Sequence, residues 1–384
     1  MRSFGWNMPV DIHFGSGISQ RIAADLGGRR CVVLAFDQAF ELGLQSSWTR
    51  QLGSQLLGWL PVPCGPAMLA GARQLAQQLW PLLRANPQAV VVALGGGTVM
   101  DLAKVLRCLP REGEFETLVP ALHGQTRWPA LKCRDLWLAP TTAGTGKELN
   151  RWATLHEIAN GRWVQRALDE PFSWASRAYI DPWLTATCPV DLTRKAALHA
   201  LCLALGSIWS LHAHPMGVGQ GVAAARQVIA TLPAVMADPY DLQLRRELSM
   251  AALQAGLACS QMRYGQIHER ARAENPTAQL LHSSAAKPET LGHAFACDSA
   301  WLLPEKWFKA LGVNAHTDCL LGSIFGGTPR DGAAALAAWL AEVGVPAYPP
   351  QRRLAQTSTA APATRRDPAP PLGTSASLLG LLAT

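Results

Sequence analysis

No two of the nine cysteines form a CxxC pair; Cys31, Cys64, Cys108, Cys133, Cys188, Cys202, Cys259, Cys297 and Cys319 stand singly. An odd, unpatterned set in a chain of 384 residues excludes a disulfide scaffold and a zinc ribbon. It reads as free thiols in a reducing compartment, mostly buried as small apolar side chains. Long apolar runs are missing too. The longest, 196–211, is interrupted by His199, Gly206 and Ser207 and reads as a core helix too short to span a bilayer. Residues 1–15 lack the continuous apolar core of a signal peptide. A soluble cytoplasmic protein is expected, with no membrane partner.

Clustered basic charge is also lacking. The formal charge of +7 comes from 34 lysines and arginines against 27 acids, scattered along the chain. Arg352, Arg353, Arg365 and Arg366 fall in 351–384, an Ala-, Pro- and Thr-rich stretch that reads as a disordered tail. With no basic helix face, zinc-finger spacing or aromatic RNP strand, a nucleic-acid partner is excluded. What is present is globular: 49% hydrophobic and 16% charged residues, in a chain long enough for two cores.

The first half alternates two textures. Residues 30–36, 89–94 and 135–140 are continuous apolar runs of the kind a buried parallel strand requires. Between them, Ala72, Leu75, Ala76 and Leu79 recur at helical spacing, with Pro81 set to end or kink that helix. A helix is expected from Val99 through Leu106. Strand, glycine turn, helix, strand is the signature of an open parallel sheet with right-handed crossovers. After Asp181-Pro182 helices are expected over 193–211, capped by Asp191, and over 222–236, 241–257, 305–311 and 330–343. The reading is an α/β domain over 1–182, a helical domain over 183–350 and the tail. No internal repeat is evident.

Two segments carry chemistry. Gly95-Gly96-Gly97-Thr98 directly follows a buried strand and opens a helix. Glycines there let backbone approach a pyrophosphate, and the helix start offers unpaired N–H groups and its positive dipole end. Thr98 supplies a hydroxyl, and Asp101, one turn on, can accept from a carboxamide or ribose. A glycine-rich turn that binds nothing has the same look. Pro140-Thr141-Thr142-Ala143-Gly144-Thr145-Gly146-Lys147-Glu148 also follows a strand, with hydroxyls and glycines suited to a diphosphate and ribose. It is no P-loop: Thr141 stands where that motif needs its first glycine, and Glu148 where it needs Ser or Thr.

Together these segments resemble a known family. GGGTVMDLAK (95–104) is similar to the GGGSxxDxAK motif of the iron-containing (group III) alcohol dehydrogenases, and PTTAGTGKE (140–148) to their PTTAGTGSE, with lysine for serine. The resemblance covers about residues 7–350. It implies α/β plus all-α architecture, a Rossmann-like parallel-sheet domain followed by a helical domain of the dehydroquinate synthase-like kind. It also implies NAD (NADP possible), Fe2+ or Zn2+, a small aldehyde or alcohol substrate, and a homo-oligomer. Residues 7–15, 152–154 and 178–182 look like the branch that includes phosphonoacetaldehyde reductases. By the same resemblance Asp37 sits where the family holds the adenine ribose, and a carboxylate there favours NAD over NADP. Capping the next helix is the plainer reading of Asp37.

The family's metal is held by one aspartate and three histidines in the helical domain, where it polarises a carbonyl for hydride transfer. The resemblance puts His199 at the aspartate position and Leu203, which cannot ligate, at the first histidine position. His282 matches the third ligand, and His293 stands beside the fourth. Each histidine also reads as packed without metal, His199 more so than His282, since a site needs at least three convergent ligands. His212 and His214 lie near a helix end and take no catalytic role, and His268 reads as surface. Lys147 and Arg151 either meet an anionic substrate group or are merely solvated. Two functions stay open: an NAD(P)-dependent alcohol dehydrogenase or aldehyde reductase, with His199 and His282 in the chemistry, and a dinucleotide-binding relative with a degraded metal site.

Overall fold

The computed structural model describes residues 4–160, 162–210, 212–260, 300, 303–312 and 315–345. The strands are β1 (Asp11–Phe14), β2 (Cys31–Phe36), β3 (Leu56–Val62), β4 (Val90–Gly95), β5 (Cys108–Pro110), β6 (Leu131–Cys133), β7 (Asp135–Pro140), β8 (Trp152–Ala159), β9 (Arg162–Asp169) and β10 (Arg177–Ile180). Six of them form one sheet in the order β1-β10-β7-β4-β2-β3, every neighbouring pair parallel. Two antiparallel hairpins, β5–β6 and β8–β9, stand outside it.

Side chains along the central strands divide by parity, as the two-residue pleat demands. Val32, Leu34, Val91, Ala93, Leu136 and Leu138 pack under α3 (Leu69–Ala85) and α4 (Gly97–Leu106). Cys31, Val33, Ala35, Val90, Val92 and Leu94 face the other way, onto Ile22 and Leu26 and onto Trp48 and Leu52 of a helix over Leu44–Leu52. Both faces are covered, which is why these runs read as unbroken apolar sequence.

Pro81 does not end its helix. α3 continues a full turn to Ala85, because Leu83 beyond the proline is wholly buried, as Trp80 is just before it. The carbonyl that loses its partner is that of Gln77, an exposed residue, so the missing N–H is not a buried loss.

From Asp181 onward every described element is helical: Pro182–Ala186, then α7 (Val190–Ile208), α8 (Pro215–Ala237), α9 (Leu242–Ser260) and helices over Leu303–Ala310, Ala315–Phe325 and Pro329–Glu342. Asp191 does not cap α7. The cap position is Pro189, and the Asp191 carboxylate pairs within the first turn with Arg194 (2.7 Å) and Lys195 (2.6 Å). His214 is also placed differently from expectation. It caps the start of α8, its Nδ1 accepting from the Gly217 N–H at 3.2 Å. That role needs the neutral ring, and burial lowers its pKa accordingly. Asp181 joins the two textures: its buried carboxylate accepts from the N–H groups of Gly17 and Trp183 and from the Ser19 hydroxyl. Among the described residues no helix is long and apolar enough to cross a membrane.

Candidate functional site

The parallel sheet reverses direction between β2 and β4: the chain runs outward from β2 to β3, then returns to β4 on the other side. In such sheets the strand ends at the reversal form a crevice that takes ligands. Asp37 follows β2 and Gly95 ends β4, so both lie on that crevice. The two glycine-containing segments adjoin there. Gly95 pairs with Pro140 across β4 and β7, and the Thr141 N–H donates to the Gly95 carbonyl at 3.1 Å.

Gly96 is the cap of α4 and has no side chain to satisfy the helix start. A methyl group on Gly96 would stand 3.3 Å from the Thr142 hydroxyl, and one on Gly97 would stand 3.2 Å from the Thr145 methyl. The glycines therefore keep open a cradle between the helix N-terminus and two threonines. Bare N–H groups, a dipole end and two hydroxyls suit a diphosphate. Thr142 and Thr145 remain partly open, whereas Thr141 is buried. The Thr98 hydroxyl donates to the Gly65 carbonyl at 2.7 Å, so it fastens the loop after β3 to α4.

Asp37 is exposed. Its carboxylate accepts from the N–H groups of Gln38 (2.9 Å) and Cys64 (3.2 Å), and the side chain does not cap the helical turn it opens. Oδ1 also accepts from the Cys64 thiol at 3.4 Å, so the lone pair left for a hydroxyl donor in the crevice is on Oδ2.

Below the cradle lies a buried charged cluster that sequence reasoning missed. Asp101 does not face the crevice with a free carboxylate; Lys147 Nζ sits 2.9 Å from one oxygen and 3.0 Å from the other. Burial raises the Asp101 pKa, with Lys147 and Lys104 pulling against it. Lys104 has 0% exposure and spends its three donors on the Asn150 carbonyl (2.7 Å), the Asn150 side-chain oxygen (3.0 Å) and the Trp152 carbonyl (2.9 Å). Burial lowers its pKa to about 7 and raises that of Glu148 to about 6. The last lysine of the first motif thus clips the chain just past the second. Lys147 is neither solvated nor free for an anionic substrate, and Arg151 pairs with Asp169 at 2.5 Å.

The second segment's glycines serve packing. Gly144 lies against the backbone of Ala196 on α7, and Gly146, at φ +60°, against Gly256 on α9. Ala196 is one turn before His199, so the half-buried His199 lies one turn along α7 from the threonine loop. Leu203, four residues further, is 4% exposed and belongs to the helical core with Ala143. Among the described residues no three His, Cys, Asp or Glu side chains could together hold a metal ion. Of the positions the resemblance assigns to metal, only His199 among those described can ligate; His282 and His293, like His268, lie outside the described residues. The described residues do not fit the metal centre.

Residues 9–182 match the profile of the family described as iron-containing alcohol dehydrogenase. The match spans just under half of the chain. A phosphonoacetaldehyde reductase of Streptomyces viridochromogenes is 31% identical over 211 residues, 53% of this chain and 51% of the relative. A probable alcohol dehydrogenase of Escherichia coli is 26% identical over 262 residues, 67% of this chain and 64% of the relative. The chain therefore spans from about half to just under two thirds of these relatives' length. The fold is shared more widely. Sulfoacetaldehyde reductase from Bifidobacterium kashiwanohense, solved in complex with NAD+, superposes with a TM-score of 0.75 at 19% identity, covering 90% of this chain and 87% of that one. The Rossmann-like sheet followed by helices is thus the architecture of this group.

Proposed function

We propose that the chain is an NAD(P)-dependent alcohol dehydrogenase that works as an aldehyde reductase, moving hydride between nicotinamide and a small aldehyde. The observation that carries the proposal is the cradle formed by Gly96 and Gly97 against Thr142 and Thr145 at the sheet's reversal point. In this reading Gly95, Gly96, Gly97 and the α4 start bind the diphosphate, with Thr142 and Thr145 lining it, while Thr98 and Thr141 hold the two segments in place through their bonds to Gly65 and Gly95. Asp37 accepts from the adenine ribose and, by repelling a 2′-phosphate, selects NAD. Asp101 acts indirectly, by holding Lys147 under the cradle. Residue 182 is taken as the division between the cofactor-binding and helical domains.

When bound, the nicotinamide supplies the hydride that reduces the carbonyl carbon. His199, one turn from the threonine loop, is the candidate to hydrogen-bond the carbonyl oxygen and supply its proton. No step is routed through a metal. Phosphonoacetaldehyde is the first substrate to try, because a relative at 31% identity is named for its reduction. The pairing of Lys147 with Asp101 leaves recognition of an anionic group to residues other than Lys147.

The test is a titration of NADH and NADPH by calorimetry, followed by NADH oxidation with a panel of small aldehydes, with and without added iron or zinc. Micromolar NADH binding and turnover support the proposal; no affinity for either nucleotide overturns it. Binding without turnover, and without metal, favours the non-catalytic relative to which Leu203 points. About one metal per chain would require ligands besides His199, for which His282 and His293 are the candidates by resemblance.

A further inference from the structure

The β5–β6 hairpin lies behind the site, between the C-terminal end of α4 and the start of β7. In it Cys108 and Cys133 are direct cross-strand partners, with their sulfurs 3.0 Å apart. The ladder fixes what kind of pair this is. The Arg134 N–H donates to the Arg107 carbonyl, and the Arg111 N–H to the Ala130 carbonyl, both at 2.9 Å. Hydrogen-bonded pairs alternate with non-bonded ones in an antiparallel ladder, so Cys108 and Cys133, one step from Arg107 and Arg134, occupy a non-hydrogen-bonded position. There the Cα atoms approach to about 4.5 Å with side chains on the same face, inside the range a disulfide bridges.

We propose that Cys108 and Cys133 form a peroxide-sensitive dithiol that closes reversibly to a cross-strand disulfide. Cys133 is half-buried and open to solvent, whereas Cys108 is buried behind it. Contact with the Cys108 thiol lowers the Cys133 pKa to about 7, helped by the guanidinium groups of Arg107 and Arg134. Burial pushes Cys108 well up. The outer sulfur is thus the nucleophile and the inner one the resolving thiol.

The co-reactant is a hydroperoxide. The Cys133 thiolate attacks one peroxide oxygen, an S–O bond forms as the O–O bond breaks, and the departing oxygen takes up the proton that Cys133 released on ionising and leaves as water or an alcohol. The Cys108 sulfur then attacks the Cys133 sulfenic acid; the S–S bond forms, the S–O bond breaks, and hydroxide takes up the Cys108 proton as water. Two thiols lose two electrons, and one peroxide is reduced.

The experiment uses the full chain, reduced and then exposed to one equivalent of hydrogen peroxide. Remaining thiols are blocked by alkylation under denaturing conditions, and the tryptic peptides are read by mass spectrometry. The expected product joins the peptide 108–111 to the peptide 133–134, is absent before peroxide, and is lost on adding dithiothreitol. In Cys108→Ser the sulfenic acid on Cys133 should persist and be trapped by dimedone. Recovery of both cysteines alkylated, oxidation at exposed Cys64 or Cys319 ahead of Cys133, or Cys133 passing to sulfinic acid with Cys108 still reduced would each overturn the proposal.

Discussion

The ammonium of Lys147 rests 2.9 Å and 3.0 Å from the two oxygens of the Asp101 carboxylate, with both side chains nearly closed to water. Removing one partner of such a pair leaves a desolvated charge without compensation. Lys147→Ala is expected to destabilise the fold by about 3 kcal/mol. Adding Asp101→Asn should recover most of that loss. Urea unfolding of the single and double variants measures it; an unchanged midpoint in the single variant would show that the pair contributes nothing.

Gly97→Ala places a methyl group 3.2 Å from the Thr145 side chain, in the space between helix start and threonine loop. Its backbone is helical, so alanine costs the fold little. NADH affinity should fall roughly tenfold or more, a loss of about 1.4 kcal/mol or greater, with the melting temperature almost unchanged. Calorimetric titration beside a thermal melt separates the two effects. An equal loss in both would mean that Gly97 serves folding alone.

Asp37 stands exposed at the end of β2, tied to the Gln38 and Cys64 N–H groups. Asp37→Ser keeps a small polar group while removing the charge that repels a 2′-phosphate. The ratio of NADPH to NADH affinity should rise roughly tenfold. A ratio that stays fixed would assign Asp37 to the Cys64 loop only.

Glu148 is buried, and its pKa rises from 4.5 to about 6 in the folded chain. Between those values the folded state keeps a proton that the unfolded state has lost, so stability falls as pH rises through the window. The desolvation penalty is absent below pH 4.5 and fully present above about 6. Glu148→Gln should therefore raise unfolding free energy by up to about 2 kcal/mol in mildly alkaline buffer. That gain should fade as pH approaches 4.5. A pH-independent difference would point to lost packing or hydrogen bonding instead.

The runs at 31–36, 90–95 and 135–140 announced themselves because both their faces are buried, leaving no polar residue to interrupt them. β3 did not. It is an edge strand, so it tolerates Gly58 and Pro61, and its sequence LLGWLPV reads as neither strand nor helix. The charged β8–β9 hairpin hid for a similar reason: outside the main sheet, it alternates exposed and buried residues over only part of its length. The helix over Ala315–Phe325 has a weak apolar stripe and escaped periodicity as well. At the site, each motif betrayed itself by following a strand. Their interlocking could not be seen, because Lys104 with Asn150 and Asp101 with Lys147 meet across 46 positions of chain. The partners of the Thr98 hydroxyl and the Asp101 carboxylate, Gly65 and Lys147, were out of sight for the same reason.

Gly146 and Gly256 bring the threonine loop and α9 into contact backbone to backbone; a methyl group on Gly146 would stand 2.6 Å from the Gly256 Cα atom. Even one carbon atom inserted at either place would act as a wedge, prising Thr145 away from the helix that faces it. The freedom of the threonine loop to vary is thus set by a residue more than a hundred positions downstream, and any redesign of that loop has to treat α9 as part of it.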